Sequence, residues 1–245
     1  MPKFEILNVD SHSSTRVNVN YTSENGYAVS NTPTFPTEFA DVQSEYPILF
    51  RKDPETGQFN SFVMLGFQAD ENLFLTDDGW AAEYIPASLA RGPFLIGFQN
   101  QEEQGKSAKE PVINIDMADP RVSENEGEKL FNDSGSLSPF AENIKRVLSG
   151  IHLGIEYSKQ MFEVFLQHDL LESVTIDAEF NNGEKAKIQG CYTIHEEKLK
   201  MLDAAALEIL NRTGYLQAAY LVIASLSNIR KLISMKNKQI DKQSN

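Results

Sequence analysis

The sequence predicts an α+β fold, a mostly antiparallel sheet system packed against a C-terminal group of three helices. Short apolar runs punctuated by turn residues fill the first half, where EYPILF, a DPETG turn and FNSFVMLGF follow one another between Glu45 and Phe67. Beyond Ser138 apolar residues instead recur every three or four positions, interrupted by one hairpin pattern around an NNG turn. A run of strands followed by a run of helices belongs to the α+β class rather than to alternating α/β folds. With 245 residues and 41% hydrophobic content, the chain can bury a sizeable core. It is read as a single compact domain over 1–245, β-rich to about residue 116 and helical from about 138 to 235.

Taken in order, Phe4, Ile6 and Val9 form an extended run, and Val17 and Val19 alternate with Asn18 and Asn20 in a second, with the polar SHSSTR stretch between them. From Ser23 to Pro36, Ser, Asn, Thr, Gly and Pro make a loop, because they supply positive φ or compete locally for backbone hydrogen bonds. Thr37 caps a short helix with Phe39, Ala40 and Val42 on its apolar side, which ends before Pro47. Ile48 to Phe50 and Phe62 to Phe67 form a hairpin through Asp53, Pro54 and Gly57, and Leu73 to Leu75 continues it as a meander. Pro86 opens one or two helical turns closed by Gly92 and Pro93, and Phe94 to Phe98 is the next strand. Gln99 to Glu110 reads as a mobile polar loop, Val112 to Ile115 as a strand, and Asp116 to Asp133 as an acidic solvated segment.

Ser138 followed by Pro139 is a helix start, a capping hydroxyl before a proline at the first helical position. That helix runs to about Gln167, with Ile144, Leu148, Ile151, Ile155, Phe162 and Phe165 inward. Val174, Ile176 and Ala178 alternate with polar residues before the NNG turn, and Ala186 to Ile194 returns as the second hairpin strand. A second helix spans Glu196 to Leu210 with Leu199, Leu202, Ala206, Ile209 and Leu210 inward, and is broken by Asn211 and Gly214. The third, Tyr215 to Ile233, is apolar nearly all round and is expected to be enclosed by the other two.

A formal charge of -13, from 22 basic and 35 acidic side chains, opposes nonspecific adsorption to nucleic acid or anionic lipid. The tail departs from this, with Arg230, Lys231, Lys236, Lys238 and Lys242 against Asp241. Aromatic side chains lie in apolar runs without interleaved Arg and Lys, so no nucleic-acid partner is expected. Cys191 is the only cysteine; it sits in a strand pattern as a buried thiol and fits a reducing compartment. MPKFEILNVDSH lacks the apolar core of a secretory leader, and the longest apolar run, Ala218 to Leu226, is far short of a membrane span. A cytoplasmic protein is expected.

No reaction chemistry stands out. His195 and Glu196 suggest a zinc helix, but Leu199 occupies the position of the second imidazole, so the pair is read as a helix start. Asp10 and His12 with His152 or His168 lack any diagnostic metal spacing. The acidic segment does not follow a calcium-loop order, and Asp77 and Asp78 beside Gly79 are turn residues before they are an acid and base pair. The sequence identifies no cofactor.

The ordered series EYPILF, TGQF, LGF, ENLF, GW and YIPASLARGPF, followed by GCYTIHEEKLKML and the Gly214 to Leu232 helix, resembles the bacterial SapC family. His12, Arg16 and Val17 match that family's N-terminal pattern, and the resemblance spans nearly the whole chain. It implies an association with bacterial surface layers and transfers no catalytic or binding residue.

The expectation is therefore a noncatalytic binding or accessory protein of bacterial envelope or surface-component biogenesis. Its protein or peptide partner is expected in a groove near Trp80, Tyr84 and Arg91, where aromatic and guanidinium groups flank a short helix, with His12 and Arg16 as further candidate binding residues. An alternative is an enzyme with a site around His12, Arg16 and Asp116, because SHSSTR lies between apolar runs. A structural surface-layer component is the third reading.

Overall fold

The computed structural model describes residues 1–77, 79–103 and 106–243. In chain order the first half holds β1 (Phe4–Ile6), α1 (Val9–His12), β2 (Arg16–Val17), β3 (Asn31–Pro33), α2 (Phe39–Val42), β4 (Ile48–Lys52) and β5 (Phe59–Met64). A ribbon of β6 (Leu75–Thr76) and β7 (Gly79–Trp80) precedes α3 (Ala87–Ala90) and the hairpin of β8 (Phe94–Glu103) and β9 (Lys106–Asp116). Next come β10 (Val122–Ser123), β11 (Glu128–Lys129) and α4 (Pro139–Gln167). The hairpin of β12 (Leu171–Glu179) and β13 (Lys185–Ile194) is followed by α5 (Glu196–Lys200), α6 (Ala204–Thr213), α7 (Tyr215–Ser225) and α8 (Asn228–Gln243). The sheets are antiparallel and the helices concentrate toward the C-terminus, so the fold is α+β.

Two compact units are assembled from interleaved segments, Met1–Tyr21 with Ala87–His152, and Thr22–Pro86 with Leu153–Asn245. In the first unit β9 lies between β1 and β8, and β2 lies between β10 and β11. Val17 on β2 pairs with both Val122 and Glu128, which brings Gly127 so close that a Cβ there would lie 2.3 Å from the Val17 carbonyl oxygen. With φ of +102° as well, the position suits only glycine. Val17, Phe94, Ile115, Leu130, Phe131, Ile144 and Leu148 form the buried cluster beneath these strands. Ser138 caps α4 as expected, its Oγ accepting from Ala141 N–H at 3.1 Å.

Three expectations change in this unit. Val9 lies in α1, capped by the Asn8 side chain, instead of extending the first strand. Most of Gln99 to Glu110 is paired hairpin, with Gln99 opposite Glu110 and Glu103 opposite Lys106; residues 104 and 105 lie outside the described residues. Phe98, Gln99, Glu110 and Pro111 are all exposed, so the base of this hairpin arm carries no apolar alternation to read. The acidic segment contributes β10 and β11, which are held by β2 and too short to leave a periodic signal.

The second unit holds a five-stranded sheet in the order β12-β13-β4-β5-β3. The β4–β5 turn is built as its residues dictate, with Asp53 Oδ1 accepting from Glu55 N–H, Thr56 N–H and the Thr56 hydroxyl, and Gly57 at φ +70°. Those bonds, the Thr56 amide first, hold the Asp53 carboxyl below its usual range. The stretch read as a loop contains β3, which pairs with the far edge of β5. Leu73 to Leu75 does not extend the sheet: among the described residues β6 pairs with β7 alone, and the place beside β5, where a meander would continue, is taken by β3. Thr37 does not cap α2; Glu38 precedes it and makes no side-chain cap bond.

The last two expected helices are each divided. Asp203 restarts the chain as a cap, accepting from Ala206 N–H at 2.8 Å, and Gly214 in the left-handed region at φ +80° ends α6. α7 and α8 part at Leu226 and Ser227. α7 is enclosed by sheet as well as helix, packing on β4, β13, α2 and α6, although Tyr220 is exposed. Ile209 is exposed too, against its expected inward position. The fully buried Ser225 ties α7 to the sheet, accepting from Ile48 N–H at 2.9 Å and donating to the Val222 carbonyl at 2.6 Å. Ser225→Ala strands the Ile48 amide, so a loss of about 1–3 kcal/mol is expected in urea denaturation. A loss below about 0.5 kcal/mol would contradict that role.

Candidate functional site

A groove of ≈ 630 Å³ opens in the second unit, lined by the β4–β5 hairpin, by β3 with the two residues after it, and by the C-terminal part of α4. That size is within the range of small-ligand and peptide-anchor pockets. Strand alternation sorts its walls. Phe50 and Phe59 pack their rings on Phe162 of α4, with centroids at 5.0 and 5.8 Å. Ser61, paired with Phe50, lies on that same face. Arg51, Asn60 and Phe62 take the opposite face, where the Arg51 guanidinium carbon sits 4.6 Å from the centre of the Phe62 ring.

α4 comes close to this sheet edge because residue 154 is glycine: a Cβ there would lie 2.5 Å from Phe35 Cβ. The helix then leaves Ile155 and Leu166 on the groove wall, 40% and 50% exposed. Ile155 follows the same periodicity as the buried positions of α4, but its stretch of helix faces the groove instead of a packed neighbour. Lys159 is paired with Glu156 at 2.8 Å and Asp53 is engaged in its own turn. Arg51 makes no ion pair among the described residues.

The most informative atom is Ser61 Oγ. Ser61 is only 4% exposed and is one of the residues lining the groove, and its hydroxyl is buried without a hydrogen-bond partner. A buried hydroxyl without a partner costs about 1–3 kcal/mol, so such groups cluster where water or a ligand completes them.

Of the residues singled out in the sequence, Trp80 and Tyr84 come together in the second unit around Tyr46. Trp80 stacks on Phe74 with ring centroids 5.9 Å apart and donates to Tyr46 Oη at 2.9 Å; Tyr46 in turn donates to the Tyr84 carbonyl. Tyr84 donates to the buried Glu38 carboxylate at 2.8 Å, and Thr34 donates to its other oxygen at 2.8 Å. Burial pushes both tyrosine pKa values up, reinforced at Tyr84 by the Glu38 charge, so both phenols remain hydrogen-bond donors. The polar atoms of this cluster are engaged inside the unit.

Arg91 belongs to the first unit, where Nη1 donates to the Phe94 carbonyl at 2.8 Å. His12 is 1% exposed, with Nδ1 on Asn8 and Nε2 3.5 Å from Glu5 Oε2 without hydrogen-bond geometry. Arg16 donates to the Gly127 carbonyl at 2.9 Å, and Asp116 accepts from the amides of Lys3 and Ala118. Each of these three is held by its own local partners. Asp78 of the acid and base pair lies outside the described residues. Among the described residues no group of three His, Cys, Asp or Glu is gathered to hold a metal ion, and no helix is long and apolar enough to cross a membrane. Cys191 is buried in β13, and burial pushes its thiol pKa up.

The family model described as SapC matches residues 7–232. The chain belongs to the SapC family. Comparison with curated proteins and comparison with solved structures each found no match. The matched span of this SapC-family chain includes all of the groove and the Tyr46 cluster. Sequence reasoning passed over Arg51, Phe59, Ser61, Ile155 and Phe162 as a group, because each has an ordinary place in a strand or helix pattern. The single local hint was a serine inside the apolar strand FNSFVM.

Proposed function

We propose that this SapC-family protein is a noncatalytic binding protein that receives an apolar group of a protein or peptide partner in the groove between β5 and α4. The observation that carries this reading is the partnerless, buried Ser61 hydroxyl in a groove walled by Phe59, Phe62, Phe162, Ile155 and Leu166. Apolar walls bind by burial, and the polar groups set among them select by hydrogen bonding. An accessory role in bacterial envelope or surface-component biogenesis, exercised in the cytoplasm, accords with the surface-layer association implied by the family resemblance.

The test uses the apolar anion 8-anilinonaphthalene-1-sulfonate as a probe of the groove. Wild-type chain is expected to bind it saturably with fluorescence enhancement. Ile155→Glu places a carboxylate on an exposed groove position without disturbing the core, and is expected to weaken binding about tenfold at unchanged melting temperature. Equal binding by the folded variant would overturn the groove as the site.

A further inference from the structure

The groove has an open sheet edge within it, and that edge defines what fits. β3 pairs with β5 from Met64 to Phe62, and the ladder ends with Thr34 N–H donating to the Ser61 carbonyl at 3.1 Å. Met64 N–H bonds to the Pro47 carbonyl and Gln58 carbonyl accepts from Asp53 N–H, so the even-numbered residues of this stretch direct their backbone groups toward β4. The odd-numbered ones face β3. Phe59 therefore turns its N–H and C=O toward the side where β3 has already ended, and neither group finds a partner among the described residues. This edge borders the groove, which Phe59 and Ser61 both line.

We infer that the groove binds an extended peptide segment that continues the sheet antiparallel to β5 beyond β3, with an apolar residue opposite Phe59 and an acidic residue next to it. The inference rests on the binding function proposed above. The residue opposite Phe59 exchanges both backbone hydrogen bonds with it, and alternation directs its side chain to the α4 face, among Phe162, Ile155 and Leu166. Its neighbour's side chain then emerges on the face of Asn60 and Phe62. There the Arg51 guanidinium lies over Phe62 without an ion pair among the described residues, complementary to a carboxylate. On the α4 face Glu163 would repel an acid, so charge and shape select the same alternation.

The experiment selects random nine-residue peptides by display on the full chain and measures synthetic copies by fluorescence anisotropy. Enrichment of an apolar residue beside Asp or Glu is expected. N-methylation of the apolar residue's amide, which faces β5, is expected to weaken binding about tenfold or more, while N-methylation of the acidic residue's amide, which faces away, leaves it unchanged. Arg51→Glu, a change at an exposed position, is expected to reverse the preference from acidic to basic peptides. Peptides whose affinity ignores both N-methylations overturn strand addition but leave a peptide-binding groove. Failure to enrich any peptide, with the fluorescent probe still bound and displaced by Ile155→Glu, overturns the peptide occupant and keeps the groove. Loss of both overturns the binding function as well.

Discussion

Replacing Phe162 by alanine is expected to lower the unfolding free energy by about 3–5 kcal/mol, the cost of deleting a large buried aromatic whose cavity cannot close. Phe162 is the junction at which α4 meets the sheet of the second unit. Its ring lies edge-on to Phe50 at 5.0 Å and to Phe165 at 6.4 Å, and tilted against Phe59 at 5.8 Å. Such pairs add about 0.5–1.5 kcal/mol beyond area burial, which places this substitution toward the upper end of the range. Trp80, the single tryptophan, lies in the same unit, so its fluorescence in a urea titration reports the loss directly. A loss under about 1.5 kcal/mol would mean that the aromatic cluster collapses to fill the space. Because Phe162 is also a groove wall, the variant keeps the Phe59 edge while losing the surface against which an apolar anchor rests.

Lys236→Met should cost about 3 kcal/mol, because it removes one partner of an ion pair withdrawn from water. Lys236 Nζ lies 2.6 Å from Glu71 Oε1, and the two side chains are 12% and 10% exposed. The other Glu71 oxygen accepts from Phe67 N–H at 2.7 Å, which fixes the carboxylate in place and leaves it unable to follow the missing cation into solvent. The contrasting pair is Lys159 with Glu156, solvated on both sides, where removal is expected to change stability by less than about 1 kcal/mol. Added salt screens the exposed pair but scarcely the buried one, so the Lys236→Met penalty is expected to persist in about 0.5 M sodium chloride. Adding Glu71→Gln to Lys236→Met should recover part of the loss by removing the stranded charge. If the double variant is no more stable than the single one, the desolvated charge is not the cause.

Local chemistry was legible wherever a few adjacent residues decide the backbone. Ser138 and Pro139 mark the start of α4 because a hydroxyl cap and a fixed φ act within one turn, and the helix ends at Gln167 as its periodicity indicates. Asp53 and Gly57 specify the β4–β5 turn, and the NNG sequence joins β12 to β13. Periodicity misled where burial came from distant chain. Ile155 repeats on the same stripe as Leu148 and Phe162 yet faces the groove, since a helical pattern records which residues share a face and not what covers it. Leu75 has an apolar neighbourhood like that of Leu49, but pairs in a separate ribbon because β3 already occupies the place beside β5.

The candidate site divides along the same line. Trp80, Tyr84 and Arg91 attract notice as aromatics and a cation near a short helix, but hydrogen bonds to Tyr46 and Glu38 engage Trp80 and Tyr84, and Arg91 belongs to the other unit. By itself the sequence determined the α+β class, the family, the caps and turns, and the apolar faces, because propensity, alternation and capping act over a few residues. Only the tertiary structure decided that β3 ends opposite Phe62, three residues short of Phe59, that Ser61 keeps an unpaired hydroxyl, and that α4 closes over both. Strand order and the covering of each face are set by long-range burial, in which residues far apart in the chain compete for the same neighbours.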